Sequence, residues 1–124
     1  MIAQIYKILQ QIKNLIPVSS AGSIEVISAG YTVIGDGRKE VALAGTREAL
    51  AASTPCKAVL ITAETNNTGT IVVGATGTVV AALATRRGTP LQAGESVMIP
   101  VSNLNLVFLD TTVNTDGVTD EYFG

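Results

Sequence analysis

The chain contains no histidine and no tryptophan, a single cysteine, and few charges: only 15 % of its 124 residues are Asp, Glu, Lys or Arg. Each shortage closes a class of function. Without histidine, the commonest general base and the commonest ligand for zinc, iron and copper are missing. Cys56 has no imidazole to deprotonate it and is a poor nucleophile. Set at the start of an apolar run, it reads instead as a small buried hydrophobe. One cysteine also rules out an intrachain disulfide, and with it a disulfide-stapled secreted scaffold. Sugar binding usually needs an aromatic platform, and here the tyrosines are only Tyr6, Tyr31 and Tyr122. Tyr6 and Tyr122 are expected at the edge of a core rather than under a sugar ring. No dinucleotide, phosphate-loop, paired-cysteine or nucleophile-elbow pattern occurs. The expectation is a protein that is not an enzyme, with no catalytic residue, no cofactor and no metal.

Basic residues are also scarce. Lys and Arg total 8 against 10 Asp and Glu, a net charge of −2. Nucleic-acid affinity comes mainly from neutralising phosphates, so a nucleic-acid partner is not expected. The adjacent basic pairs Arg38-Lys39 and Arg86-Arg87 are each too small to form a patch. No run is long and apolar enough to cross a membrane, because Gln4, Lys7, Gln10, Gln11 and Lys13 interrupt the most hydrophobic N-terminal stretch. The same interruptions break a signal-peptide core, and the chain is expected to be made and folded in the cytoplasm. Hydrophobic content of 47 % with so little charge leaves two explanations. Either part of the surface is covered by a partner or a symmetry mate, or Ala, Gly and Thr fill an uncharged surface.

What the chain does have begins at its N-terminus. Ile2, Ile5, Leu9, Ile12 and Ile16 are spaced three, four, three and four apart, an a/d heptad seam that Pro17 closes. A helix this short is marginal unless its stripe is buried. Three burials are open: against its own domain, on a membrane surface (for which two lysines are few), or by self-association or docking. Ile at both seam positions favours three or more strands over two. These five residues are the candidate assembly interface, with a homo-oligomer, a trimer first, as the expected partner. The chain divides into the helix (residues 1–17), a joint (residues 18–23) that contains Ser19-Ser20-Ala21-Gly22-Ser23, and a body (residues 24–124).

The body reads as strands and turns. Strands are expected over residues 24–29 and 31–34. Gly35-Asp36-Gly37 has hairpin-turn chemistry and a strand should return over 39–44. A helical turn is expected within 46–53. Residues 56–64 form the best strand, with Val59, Ile61 and Ala63 on one face. Asn66-Asn67-Thr68-Gly69 should turn 70–73 back as its hairpin partner. Val97, Ile99 and Val101 alternate, as do Leu104, Leu106 and Phe108. Thr115-Asp116-Gly117 should turn into a last strand over 118–123. The expected core is Val59, Ile61, Ile71, Val97, Ile99, Leu106 and Phe108. Short strands with tight turns about every ten residues point to a mainly β fold, an antiparallel β-sandwich or a jelly-roll-like body. Asp110, Asp116, Asp120 and Glu121 cluster near the C-terminus and are the one resource for a Ca²⁺ site or an acid/base pair. Ordinary turn and strand-end carboxylates explain them more simply.

From Pro55 onward the chain shows a recognisable order: Cys56-Lys57-Ala58-Val59-Leu60-Ile61, the turn Asn66–Gly69, Ile71-Val72-Val73-Gly74, Leu91-Gln92-Ala93-Gly94-Glu95-Ser96-Val97, Asn103-Leu104-Asn105-Leu106-Val107-Phe108-Leu109-Asp110, then Gly117-Val118 and Tyr122. This resembles the small β-sandwich accessory proteins of tailed-bacteriophage virions. These are head-fibre, capsid-decoration or tail-associated components, often trimeric. The resemblance implies a non-enzymatic virion protein that decorates or reinforces the particle through the major capsid or another virion protein. A tail-fibre or baseplate adaptor and a carbohydrate-binding host-adsorption module are the alternatives. Its motifs are packing and turn motifs: Gly94-Glu95 would turn into a strand, and Asn103 and Asn105 would satisfy backbone groups beside a buried Leu104.

Overall fold

A computed structural model of the chain describes residues 30–124. The expected helix with Ile2, Ile5, Leu9, Ile12 and Ile16, the joint over 18–23, the strand over 24–29, and Tyr6 lie outside the described residues.

The described residues form eight strands: β1 (Ile34–Glu40), β2 (Glu48–Ala49), β3 (Ala58–Ala63), β4 (Ile71–Ala75), β5 (Thr89–Leu91), β6 (Ser96–Ile99), β7 (Val107–Thr111) and β8 (Gly117–Phe123). No α-helix lies among them; two short 3₁₀ turns cover Leu83–Thr85 and Leu104–Leu106. The strands form two four-stranded sheets, ordered β1-β8-β3-β6 and β2-β7-β4-β5, with every pairing antiparallel. The two sheets share one core, and the body is a mainly β sandwich, as the strand spacing predicts.

Strand β3 shows why. Val59, Ile61 and Ala63 alternate inward and are fully buried, while Leu60 and Thr62 face out half-buried. Opposite them, the second sheet contributes Ile71, Val73, Leu91, Val107 and Leu109, and Val118 of β8 completes the layer with Val41, Leu50 and Leu104 from the connections. Each such side chain stabilises the fold by roughly 1.5–3 kcal/mol through the apolar surface it removes from water. Val97 and Ile99, expected in the core, pack against its margin.

Several local expectations give way to longer-range pairing. Gly35-Asp36-Gly37 is not a turn: β1 runs straight through it, paired with β8 from Ile34↔Phe123 to Glu40↔Gly117. The glycines serve the inner face instead. A Cβ on Gly35 would lie 2.1 Å from Cζ of Tyr122, whose ring occupies that space, and one on Gly37 would meet the Asp120 carboxylate at 2.9 Å. An aromatic ring laid over a cross-strand glycine is a recurrent way to fill an edge strand. With β1 extended to Glu40, no returning strand forms over 39–44, and the expected 31–34 strand begins only at Ile34. Residues 46–53 contain the two-residue β2 rather than a helical turn. Strand β4 does not fold back on β3; it crosses to the other sheet, between β5 and β7.

The stripe Leu104, Leu106, Phe108 is also out of phase with the core. The Asn103 side chain accepts from the Thr54 and Asn105 amides (2.9 and 3.0 Å) and caps the 3₁₀ turn, as its place beside the buried Leu104 predicts. Three residues per turn break the two-residue alternation. Val107 and Leu109 then point inward, Leu106 is exposed, and Phe108 joins a separate small cluster with Val72, Val79 and Ala81.

Candidate interaction face

The two outer faces of the sandwich are finished differently. On the second sheet, residues 76–88 between β4 and β5 fold back over the strands. Val79 and Ala81 bury Val72 beneath them, and Phe108 flanks the cluster. Val80 and Arg87 exchange backbone hydrogen bonds at 3.0 and 2.9 Å, closing the segment on itself. Arg86 Nε donates to the Ala81 carbonyl at 3.0 Å.

The centre of this arrangement is Asp110, opposite Val72 in the β4–β7 register and 3 % exposed. Its Oδ2 accepts from the Ala81 amide at 2.8 Å, and its Oδ1 accepts from the amides of Gly45 (3.0 Å) and Thr111 (2.9 Å). One carboxylate thus ties the 76–88 segment and the β1–β2 connection to β7. Asp116 does similar work in the β7–β8 connection: it accepts from the Thr68 and Gly69 amides at 3.2 and 2.8 Å, beside Thr115 at φ 68°.

The outer face of the first sheet carries no such cover from the described residues. Its rows follow from the register. Ile34, Phe123 and Ala58 share one row. Asp36, Glu121, Leu60 and Met98 form the next, and Arg38, Thr119, Thr62 and Ser96 the one after. The far end is polar: Arg38 forks onto Glu64 and reaches Glu40 at 3.0 Å, and Thr62 and Ser96 hydroxyls bond at 2.7 Å. The near end is apolar. Ile34 is 69 % exposed, Tyr31 57 % and Met98 50 %, and the Tyr31 ring packs on Phe123 with centroids 5.4 Å apart. Ile34 and Leu60 line one shallow cleft of about 390 Å³ with Asp36, Thr62 and Glu121.

The clustered carboxylates therefore separate. Asp110 and Asp116 are acceptors for the amides of different loops, and Glu121 is exposed on the sheet. Asp120 is buried under Gly37, and burial, then the nearby Asp36, raises its pKa. Among the described residues no group of three or more His, Cys, Asp or Glu is placed to hold a metal. Cys56 packs at the core margin and its thiol donates to the Val101 carbonyl at 3.1 Å, with burial raising its pKa. Tyr122 also packs against the core. The basic pair Arg38-Lys39 is spent on ion pairs, Lys39 meeting Glu48 at 3.2 Å. Glu48 has a lowered pKa because it accepts from the Ala42 amide and lies beside Lys39.

Neither the role of Asp110 nor the apolar end of the open sheet follows from the local sequence pattern. The signal for the second was present in β3, where Ala58 and Leu60 make the outward phase nearly as apolar as the inward one.

No protein-family model, no curated protein and no solved structure matches this chain.

Proposed function

We propose that the chain is a non-enzymatic structural protein of a tailed-bacteriophage virion, a homotrimeric capsid-decoration or head-fibre protein that binds the major capsid protein. One observation carries this reading: among the described residues, one outer sheet face is closed by residues 76–88 and the other is left uncovered, with an apolar end. An apolar end on an uncovered sheet face suits a subunit of a larger assembly. Three further points support it. The strand order reads as the double-sheet jelly roll, an architecture common in viral capsid and lectin domains, although architecture alone does not assign a role. The residues that carry the resemblance to phage accessory proteins are spent on β3, β4, the Asn103 cap and β7, a packed framework rather than a reactive site. The heptad seam of Ile2, Ile5, Leu9, Ile12 and Ile16 supplies the three-fold coiled-coil device. Repeated over a shell, modest contacts from such trimers would reinforce it by avidity.

The test is location. In particles propagated from the genome that encodes the chain, gold label against it should decorate the head shell. Label at the tail tip would assign the tail-fibre or baseplate role instead, and particles without the chain would overturn the proposal.

A further inference from the structure

We infer that residues 76–88 are a strap that lifts off the outer face of the second sheet while the sandwich beneath stays folded, baring an apolar strip of β4 and β7. Three features of its attachment point to this.

The first is how little of the strap is buried. Val79 and Ala81 are its buried side chains, whereas Gly77, Thr78, Leu83 and Thr85 are exposed, Leu83 to 81 %. Segments with so little buried apolar surface open at the low end of a protein's range of local stabilities. Val79 and Ala81 also belong to a cluster separate from the main core, which joins Val59 and Ile61 of one sheet to Ile71 and Leu109 of the other. Lifting the strap therefore leaves that core closed.

The second is where its hydrogen bonds go. Val80 pairs with Arg87, the Thr85 amide donates to the Ala82 carbonyl, and Arg86 Nε donates to the Ala81 carbonyl, all within the strap. At its entry Thr78 donates to the Ala75 carbonyl through its amide and its hydroxyl, a local turn. Beyond that turn, the bond from the Ala81 amide to Asp110 Oδ2 is the one that crosses to the rest of the described residues. Breaking it strands no buried group. Asp110 lies in register with Val72 under the strap, so lifting brings Oδ2 to water while Oδ1 keeps the Gly45 and Thr111 amides. The Ala81 amide is solvated in the same movement. Exchanging a partner for water costs far less than leaving a buried donor or acceptor unmet.

The third is the pair of ends. Gly77 follows β4 at φ 73° and Gly88 precedes β5 at φ 118°. Glycine reaches conformations on either side of φ 0° without the strain of a side chain, so both points about which the strap turns are free to turn. Closed, the strap buries Val72 completely, with Phe108 at its flank. Lifted, it leaves Val72, Gly74 and Phe108 as the bared strip, since Gly74 and Phe108 are opposite each other in the β4–β7 register.

Amide exchange of the full-length protein, with and without urea below the unfolding transition, tests the strap against the body. The amides of Val80, Ala81 and Arg87 should be at least about 100-fold less protected than those of Val59 and Ile61 in β3, and urea should leave their exchange unchanged. A second measurement reads the bared strip. In the full-length double variant Val72→Cys, Cys56→Ser, the thiol on β4 should react with a small thiol reagent in the folded protein, at a rate that urea does not alter. Strap amides as protected as β3, with both sets yielding together to urea, would mean that the strap leaves only when the sandwich unfolds, and would overturn the inference. Weakly protected strap amides above a thiol that reacts only on unfolding would mean fraying without lifting, and would overturn it too.

Discussion

Asp110→Asn should lower the stability of the body by about 2–4 kcal/mol, a fall of roughly 10–20 °C in melting temperature for a domain of this size. The substitution keeps the shape of the side chain and removes its charge. Three amides, from Gly45, Ala81 and Thr111, now point at the two carboxylate oxygens. An asparagine has one oxygen to offer and must turn its own NH₂ toward at least one of those donors. A buried donor left without an acceptor costs its desolvation in full, and the remaining bonds lose their charge assistance. Hydrogen exchange locates the effect. The amides of Ala81 and Gly45 should lose protection first, because each belongs to a connecting segment that Asp110 holds in place.

Asp120→Asn provides the control of opposite sign. Burial raises the Asp120 pKa, with Asp36 adding to it. A carboxyl with its folded pKa above the unfolded value opposes folding once both are ionised, and stops doing so in acid below the unfolded pKa. The variant should therefore melt higher than the parent at pH 7, and the two curves should converge as the pH falls below about 4, the ordinary carboxyl range. Thermal melts of both variants across pH test the pair together. A neutral Asp110→Asn would show that residues 76–88 are held by packing alone.

Gly88→Ala should be comparably severe, at about 3 kcal/mol or more. Gly88 sits at φ 118°, where a side chain is strained whatever the space. There is also no space: a Cβ would lie 2.7 Å from the Val73 carbonyl oxygen and 2.7 Å from Val72 Cγ1. The oxygen belongs to the central strand β4, so it cannot swing aside as a side-chain tip would. Relief requires β5 to move off β4, which opens the second sheet at its edge. Gly45→Ala separates the two causes. Gly45 also has positive φ, at 83°, but a Cβ there meets nothing within 4 Å. It should show the backbone penalty by itself, about 1 kcal/mol. Urea unfolding of the two variants side by side measures the difference. Equal losses would mean that β5 yields freely and that its pairing with β4 contributes little.

These residues also mark what can be read from sequence. Strand β3 was legible because Val59, Ile61 and Ala63 combine strict alternation with β-branched side chains, so the local preference and the final packing agree. The turn before β8 was legible in place, though its positive φ falls on Thr115 rather than on the Asp-Gly pair. Gly35-Asp36-Gly37 was misleading because its local preference is for a turn, whereas seven cross-strand pairs with β8 and the bulk of Tyr122 favour extension. The phase of β7 depended on where a 3₁₀ turn ended, and that depends on the Asn103 side chain bonding back to Thr54, 49 residues away. Asp110 was the least legible. Its value as an acceptor comes from amides 65 and 29 residues distant, and a carboxylate among Val107, Phe108 and Leu109 looks like any strand-end charge until those amides arrive. The composition signal of many apolar and few charged residues left two explanations open, a covered surface or a merely uncharged one. Among the described residues, one outer sheet face is covered by residues 76–88 and the other is not.

The claim on which the rest depends is that copies of this chain assemble. Sedimentation equilibrium of the full chain at micromolar concentration tests it most directly. The account predicts a species of three copies of the 12.8 kDa chain, falling to a single copy in the Ile5→Asp, Ile12→Asp variant. A full-length protein that stays at the mass of one chain across the concentration range would contradict it.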